Sequence, residues 1–90
     1  MYATIIDVDG KVSYAEPSNG TNFSLAELQG FIDGGYIEIA PQTTFVNHHV
    51  IVDEEGLLKK LPLNWKATHL VGYPLVGKVV LVPRKALEED

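Results

Sequence analysis

The chain has 90 residues, of which 46% are hydrophobic and 21% are charged, and its formal net charge is −5 at pH 7. This size and composition are typical of one globular domain with a small core, and they exclude a disordered segment. The negative charge disfavours nucleic acid as a partner, because binding to phosphate backbones usually requires a clustered positive surface. The chain has no cysteine, which excludes disulfides and thiolate chemistry, favours a reducing compartment and predicts a cytoplasmic protein.

The N-terminal segment predicts a β-hairpin. Residues 2–8 are largely apolar and β-branched, and residues 11–15 alternate between polar and apolar side chains. Asp9 and Gly10 between them are a strong signal for a two-residue hairpin turn. The first ten residues have no basic region and include an acid, so we expect neither a signal peptide nor a membrane span there.

Residues 24–33 predict a helix after a loop that is rich in turn-forming residues. Ser24 and Glu27 have the spacing of a capping box, in which each side chain accepts a hydrogen bond from the other's backbone N–H. Gly34 and Gly35 supply the left-handed backbone that ends a helix. The apolar stripe that we expect to pack on the sheet is formed by Leu25, Leu28, Phe31 and Ile32.

Two strands are expected next. Residues 36–40 alternate, with Ile37 and Ile39 on one side, and Pro41 ends the ladder. Residues 45–53 predict a longer strand, whose side toward the core is formed by Val46, His48, Val50 and Val52. We expect the helix stripe to lie over one apolar side of the sheet, shared by Ile37, Val50 and Val80.

The second half of the chain contains weaker signals and one strong one. After a turn at residues 54–56, residues 57–61 predict a short returning strand. Pro62 and Asn64 predict entry into a helical turn. Residues 77–82 are nearly all apolar, as expected of a central strand that is covered on both faces.

Together these elements predict an α+β fold. We expect a small mixed, mainly antiparallel sheet of about five strands, with one well-defined helix at residues 24–33 and a second short helical turn at residues 64–70. Residues 1–83 would form a single domain, and residues 84–90 a charged C-terminal tail.

The order of several motifs resembles a known family. The pattern comprises a helix leading into a Gly-Gly-Tyr-Ile-Glu strand, an acidic turn that ends in glycine, a Leu-Pro-x-Asn step and a closing Gly-x-x-Val-Leu strand. These motifs lie within residues 25–82, at residues 34–38, 53–56, 61–64 and 77–81. In this order they resemble DUF3846, a family of small phage and bacterial domains of unknown function.

The resemblance implies an accessory protein of a mobile element, often phage-encoded, which would place it in the host cytoplasm. It implies no established activity and carries over no catalytic residue. Asp9 with Gly10, and the pair His48 and His49, are not part of the family pattern.

The histidines and acids give little support to a metal or catalytic site. His48 and His49 are neighbours on a strand and therefore point to opposite faces, so they cannot hold one ion together, and adding His69 gives at best two imidazoles. The acids Asp7 and Asp9 are explained by turn preference. We therefore predict no metal, no cofactor and no catalytic residue.

Six residues are candidates for binding a ligand. Asn64 can cap the second helical turn, which is the simpler interpretation, while Trp65 beside it can stack on a planar ligand or a partner. The other candidates lie on the non-core faces of their strands and could line a polar surface if those strands pair, or could form an ordinary solvated face. They are Tyr36, Glu38, Asn47 and His49.

These observations lead us to expect a non-enzymatic binding protein, which acts as a homodimer and sequesters a small molecule or a host protein. A nucleotide-derived host-defence signal is the specific hypothesis, with Trp65 or Tyr36 as a stacking platform. An alternative is an acidic protein–protein inhibitor or DNA mimic that presents Glu54, Glu55 and the C-terminal acids. A small hydrolase ranks last, because no nucleophile with a matching base can be named.

Overall fold

The computed structural model describes residues 2–40 and 47–86. The strands within these ranges are β1 (Ala3–Ile6), β2 (Val12–Ala15), β3 (Ile37–Ile39), β4 (His48–Asp53) and β5 (Val79–Pro83); the helices are α1 (Leu25–Phe31) and α2 (Trp65–Val71), with a 3-10 turn at Arg84–Ala86. The strands form one sheet in the order β2-β1-β5-β4-β3, and each pairing is antiparallel. The predicted α+β class, both helices and the central position of β5 are confirmed.

The sheet is covered on both faces, which corrects the expectation of one apolar side. On one face, α2 packs through Ala67 and Val71 in a cluster with Val50, Val52, Val79 and Leu81. On the other face, α1 packs through Leu28 and Ile32 in a cluster with Phe23, Ile51, Val80 and Val82. Ile37 and Val80 share the α1 face as predicted, but Val50 lies on the α2 face, because successive strand residues alternate between faces.

The central residues of strand β4 are therefore covered on both faces of the sheet. Val50, Ile51 and Val52 are all buried, and Asp53 is buried as well. The strand begins at His48, which is half-buried. The predicted strand residues Phe45 and Val46 lie outside the described residues.

The ends of α1 follow the sequence signals closely. The Ser24 hydroxyl accepts from the Glu27 N–H (3.2 Å), and the Glu27 carboxylate accepts from the Ser24 N–H (3.0 Å), which confirms the capping box. The helix ends at Phe31, with Ile32 as its C-cap, two residues before the predicted end. Left-handed backbone begins at Asp33 (φ 68°) and continues through Gly34 and Gly35. The left-handed segment that follows the helix therefore begins one residue before the glycine pair.

Two of the predicted core positions are exposed. Leu25 is the first residue of α1, and it is 58% exposed. Ile39 is 48% exposed, because β3 is an edge strand with a neighbour on one side only. Phe23 instead is fully buried and makes an edge-to-face contact with Phe31, with ring centroids 5.9 Å apart.

The N-terminal hairpin is confirmed, but its turn differs from the prediction. The Gly10 N–H donates to the Asp7 carbonyl (2.9 Å), and the Asp7 N–H donates to the Lys11 carbonyl (2.8 Å). The centre of the turn is therefore Val8 and Asp9, and Gly10 alone of these residues has a positive φ, of 90°. The type I′ turn that an Asp-Gly pair favours would be centred on Asp9 and Gly10 and would need a positive φ at both.

The predicted strand at residues 57–61 is wrong. Successive turns occupy this segment, because the Lys59 N–H donates to the Glu55 carbonyl (2.9 Å) and the Leu61 N–H donates to the Gly56 carbonyl (3.0 Å). These short-range bonds use the backbone groups that a strand would offer to a neighbour. Leu57 and Leu58 are left 81% and 82% exposed at the tip.

Asn64 joins the end of β1 and the approach to β5 to helix α2. It is fully buried, and its Nδ2 donates to the carbonyl oxygens of Ile6 (2.9 Å) and Gly77 (2.8 Å). Its Oδ1 accepts from the Ala67 N–H (3.0 Å), which caps the helix as predicted. The Asn64 backbone N–H donates to the Leu75 carbonyl (2.8 Å). One residue therefore fixes the end of β1, the approach to β5 and the start of α2.

The C-terminal part of the described chain packs against the domain. Ala86 is fully buried in the α1-face cluster, and its carbonyl accepts from the Phe23 N–H. The remainder of the predicted tail, residues 87–90, lies outside the described residues. Over the parts of the chain that the structure describes, neither helix combines the length and the apolar run needed to cross a bilayer.

Replacing Asn64 is expected to cost more stability than replacing an exposed asparagine. Asn64→Ala removes a helix cap and leaves two buried carbonyls without their donor, so we expect the free energy of unfolding to fall by about 3 kcal/mol. Asn64→Asp keeps the cap but donates to neither carbonyl, and it should destabilise to a similar degree. Urea unfolding measures both.

Asn47→Ala is the matched control, because that side chain is exposed. It should change the free energy of unfolding by less than about 0.5 kcal/mol. If Asn64→Ala and Asn47→Ala behaved alike, the role assigned to Asn64 would be wrong.

Candidate functional site

The structure separates the six predicted ligand-binding residues. Asn64 is sealed in the core, so it is a structural residue and presents nothing to a ligand. Trp65, the next residue, is 70% exposed. Tyr36, which precedes β3, is also exposed, and so is Asn47, which precedes β4.

Glu38 and His49 lie on opposite faces of the sheet. Glu38 is opposite Val52 in the ladder and shares the α2 face, whereas His49 is opposite Val82 and shares the α1 face. The strands β3 and β4 do pair, but their alternation does not place these two side chains on one surface. The predicted polar surface is therefore not assembled.

His48 and His49 point to opposite faces of the sheet, as expected of neighbouring residues on a strand. His48 is opposite Pro83 and His49 is opposite Val82, so the two rings point to opposite faces. Among the described residues, no three or more histidine, aspartate or glutamate side chains form a group that could hold a metal ion.

A groove lies between α2 and the tip of the N-terminal hairpin. It has a volume of about 520 Å³, and the helix side is formed by Trp65, Lys66, His69 and Leu70. These positions face away from the sheet because the helix buries Ala67 and Val71. The opposite wall is the hairpin tip at Val8, Asp9 and Gly10.

The walls of this groove are joined at their base by Asn64. Its side-chain bond to the Ile6 carbonyl holds the last residue of β1, and the hairpin tip begins two residues later. Its backbone leads directly into Trp65. The start of α2 is therefore held against the end of β1 by a buried hydrogen bond.

The groove combines an aromatic surface with a cation. The indole of Trp65 offers an open face for a planar group. The stem of Lys66 lies over the hairpin tip, since its Cε is 3.9 Å from the position that a Cβ on Gly10 would occupy. The Asp9 carboxylate is already used within the tip, where it accepts from the Lys11 N–H (2.9 Å).

A smaller, charged cleft adjoins the groove at Val8. Its volume is about 270 Å³, and its charged lining residues are Asp7, Asp33, Asp53, Lys59 and Lys78. Two ion pairs cross it, from Lys59 Nζ to Asp53 Oδ2 (2.8 Å) and from Lys78 Nζ to Asp33 Oδ1 (3.2 Å). We did not predict this cleft, because its charged residues come from five separate segments and share no motif.

The two ion pairs differ in how they are held. The Asp53 side chain is only 4% exposed, and burial alone would raise its pKa. The hydrogen bond from Lys59, together with one from the Glu55 N–H (2.8 Å), outweighs that effect and holds the pKa of Asp53 below its ordinary value. The Asp33 side chain is 73% exposed, so its pair with Lys78 is accessible to solvent and easily exchanged.

Asp53 is expected to make stability depend on pH. Because its pKa is lower in the folded than in the unfolded chain, its contribution is present above the unfolded value of about 3.9 and is lost as pH falls through the folded pKa. Asp53→Asn should therefore lower the free energy of unfolding at pH 7 by about 1 to 3 kcal/mol, and the gap to the parent should narrow at pH 3.

Urea unfolding at the two pH values measures this gap. Asp33→Asn is the matched control, and at this exposed pair the change should stay within about 0.5 kcal/mol at both pH values. A gap for Asp53→Asn that is equal at pH 3 and pH 7 would contradict the assignment.

Comparison with known proteins supports the resemblance seen in the motifs. A family model described as Domain of unknown function (DUF3846) matches residues 1–90. No curated protein and no solved structure is significantly similar to the chain. The chain belongs to the DUF3846 family.

Proposed function

We propose that the protein is a non-catalytic binding protein that captures a small, planar, negatively charged ligand of the nucleotide class in the groove beside Trp65. The observation that carries the proposal is the indole itself, which is 70% exposed on the first residue of α2 and lines a groove together with Lys66. Large aromatic side chains that stay exposed in a concave site are typical of ligand recognition.

The fixed start of helix α2 supports this proposal. The buried hydrogen bonds of Asn64 hold the backbone next to Trp65, so only the side-chain torsions of the exposed indole have to be ordered when a ligand arrives. Stacking of a base on an aromatic side chain contributes about 1 to 3 kcal/mol. This term does not depend on which base is present.

The lysines supply the complementary charge. Lys66 lies in the groove, and Lys78 lies in the adjoining cleft, where its partner Asp33 is largely exposed. A phosphate that extends past Val8 could compete with Asp33 for Lys78, because exposed pairs are weak. The net charge of −5 provides no general attraction for anions, so binding depends on these local cations.

The biological role that we propose follows the mobile-element setting implied by the resemblance. In that setting, the ligand is a nucleotide-derived host-defence signal, and the protein lowers its free concentration in the host cytoplasm without chemistry. We also propose a homodimer, since a second subunit would enclose a groove that is open on one chain. Native mass spectrometry should then report twice the mass of one chain.

The alternative of an acidic inhibitor has less support. Glu54 and Glu55 do lie on one turn, but Lys59 on the same turn pairs with Asp53 and interrupts the negative surface. The C-terminal acids lie outside the described residues. A hydrolase that uses an acid with a histidine has less support, because Asp9, the acid that lines the groove with His69, already accepts a hydrogen bond from the Lys11 N–H within the hairpin tip.

Trp65 is the only tryptophan in the chain, so its fluorescence reports directly on the proposed site. Titration with cyclic dinucleotides, cyclic mononucleotides and ADP-ribose should quench the emission in a saturable way for at least one of them. The same ligand should raise the melting temperature by several degrees at a concentration of about 100 times its Kd. Ribose 5-phosphate, which has no base, should do neither.

Trp65→Ala should weaken binding at least tenfold, as measured by calorimetry, because the stacking surface is lost. Tyr14→Ala is the matched control, since Tyr14 is an exposed aromatic residue on the edge strand β2. Absence of quenching and of a thermal shift with the whole panel would remove the proposal, and equal losses for the two variants would remove the role of Trp65.

A further inference from the structure

A third cavity lies on the α2 face of the sheet, away from the Trp65 groove. It has a volume of about 290 Å³ and is bordered by β3 and β4, by the turn after β4 and by the segment that follows α2. Its apolar walls are formed by Ala40, Val52, Leu57, Leu75 and Val76. Leu57 is at the mouth, where it is 81% exposed.

The charged groups around this cavity are all negative. Glu38, Asp53 and Glu54 line it, and no lysine, arginine or histidine is among its lining residues. The charge of Asp53 is balanced by Lys59. Within residues 2–40 and 47–86, no ion pair is formed by Glu38 or Glu54.

Tyr73 adds an aromatic ring beside these carboxylates. The side chain is half-buried and packs against the α2-face cluster. Burial raises the pKa of Tyr73, and the negative charge of Glu38 raises it further. Glu38 and Tyr73 both line the cavity.

We propose that this cavity binds a small alkylammonium ion, with the ammonium group between Glu38, Glu54 and the ring of Tyr73, and the alkyl chain against the apolar walls. The ammonium group of such a ligand is complementary to the carboxylates of the cavity, and its alkyl group is complementary to the apolar walls. A carboxylate attracts the cation, and an aromatic face adds a cation–π interaction. Contact with the apolar walls removes the alkyl group of the ligand from water. A carboxylate or phosphate ligand would meet two uncompensated negative charges.

The volume sets the size of the ligand. If each heavy atom takes about as much space as a water molecule in the liquid, the cavity holds on the order of ten heavy atoms. An amine with about five carbons fits with room to move. The proposal is independent of the Trp65 groove, because the two sites share no lining residue.

The test is an NMR titration of the full chain with three ligands of one shape, n-pentylamine, n-pentanol and n-pentanoate. Pentylamine should give saturable shifts of the backbone amides of Glu38, Val52, Tyr73 and Leu75. Pentanol should bind at least tenfold more weakly, and pentanoate should give no saturable shift. Similar affinities for the amine and the alcohol would overturn the proposal, since they would leave the carboxylates without a role.

Glu38→Gln should weaken pentylamine at least fivefold, and the double variant Glu38→Gln with Glu54→Gln should weaken it further. These positions are exposed, so the variants should fold, and the dispersion of the amide spectrum checks this. Glu16→Gln is the matched control, because Glu16 is an exposed glutamate that follows β2 at the other edge of the sheet. An equal loss for Glu16→Gln, or no loss for Glu38→Gln, would contradict the site.

Discussion

The buried amide of Asn64 is the interaction on which the arrangement of this domain depends. Its Nδ2 donates to the carbonyls of Ile6 and Gly77, and its Oδ1 accepts from the N–H of Ala67. A buried amide is stabilising only when its hydrogen-bonding groups have partners, so the geometry of all three segments is constrained together. The hairpin tip and the first turn of α2 diverge from this point, and the Trp65 groove lies between them.

Covering both faces of the sheet determines which surfaces remain available for binding. The central residues of strands β4 and β5 are buried on both sides, so most of their side chains contribute to packing. The accessible depressions instead form where helices and turns meet the ends and edges of the sheet. This explains why the groove and most of the charged cleft are lined by residues of loops and helix surfaces, whereas the apolar cavity lies at the sheet edge and also uses Glu38 of β3 and Val52 of β4.

Short-range sequence signals predicted most of the helices and strands well. The sheet face on which a residue lies depends instead on contacts with segments that are distant in the sequence. The capping box at Ser24 and the cap at Asn64 were identifiable because each depends on residues only three positions apart. The assignment of Val50 to the α1 face was wrong, because the pattern of β4 gives alternation but not the number of covering layers. The segment at residues 57–61 was misassigned, because its apolar leucines resemble a strand while local hydrogen bonds close turns.

The candidate sites were predictable only in part for the same reason. Trp65 could be singled out by its type and by its place after a capping residue, and it does line a groove. The sequence suggested both a structural and a ligand-binding role for Asn64. Because the side chain is fully buried, only the structural role is compatible with the structure. The pairing of Asp53 with Lys59 spans six positions through a series of turns, and the approach of Lys78 to Asp33 depends on the whole fold. No sequence spacing encodes such contacts.

Hydrogen exchange of the Asn64 side-chain amide, followed by NMR, tests the central claim most directly. If this group is sealed in the core and bonded to both carbonyls, its two protons should exchange as slowly as the backbone amides in the β1–β5 ladder, which open only on global unfolding. Exchange as fast as that of the exposed Asn47 side chain would contradict the account, because α2 would then not be fixed to the sheet through Asn64.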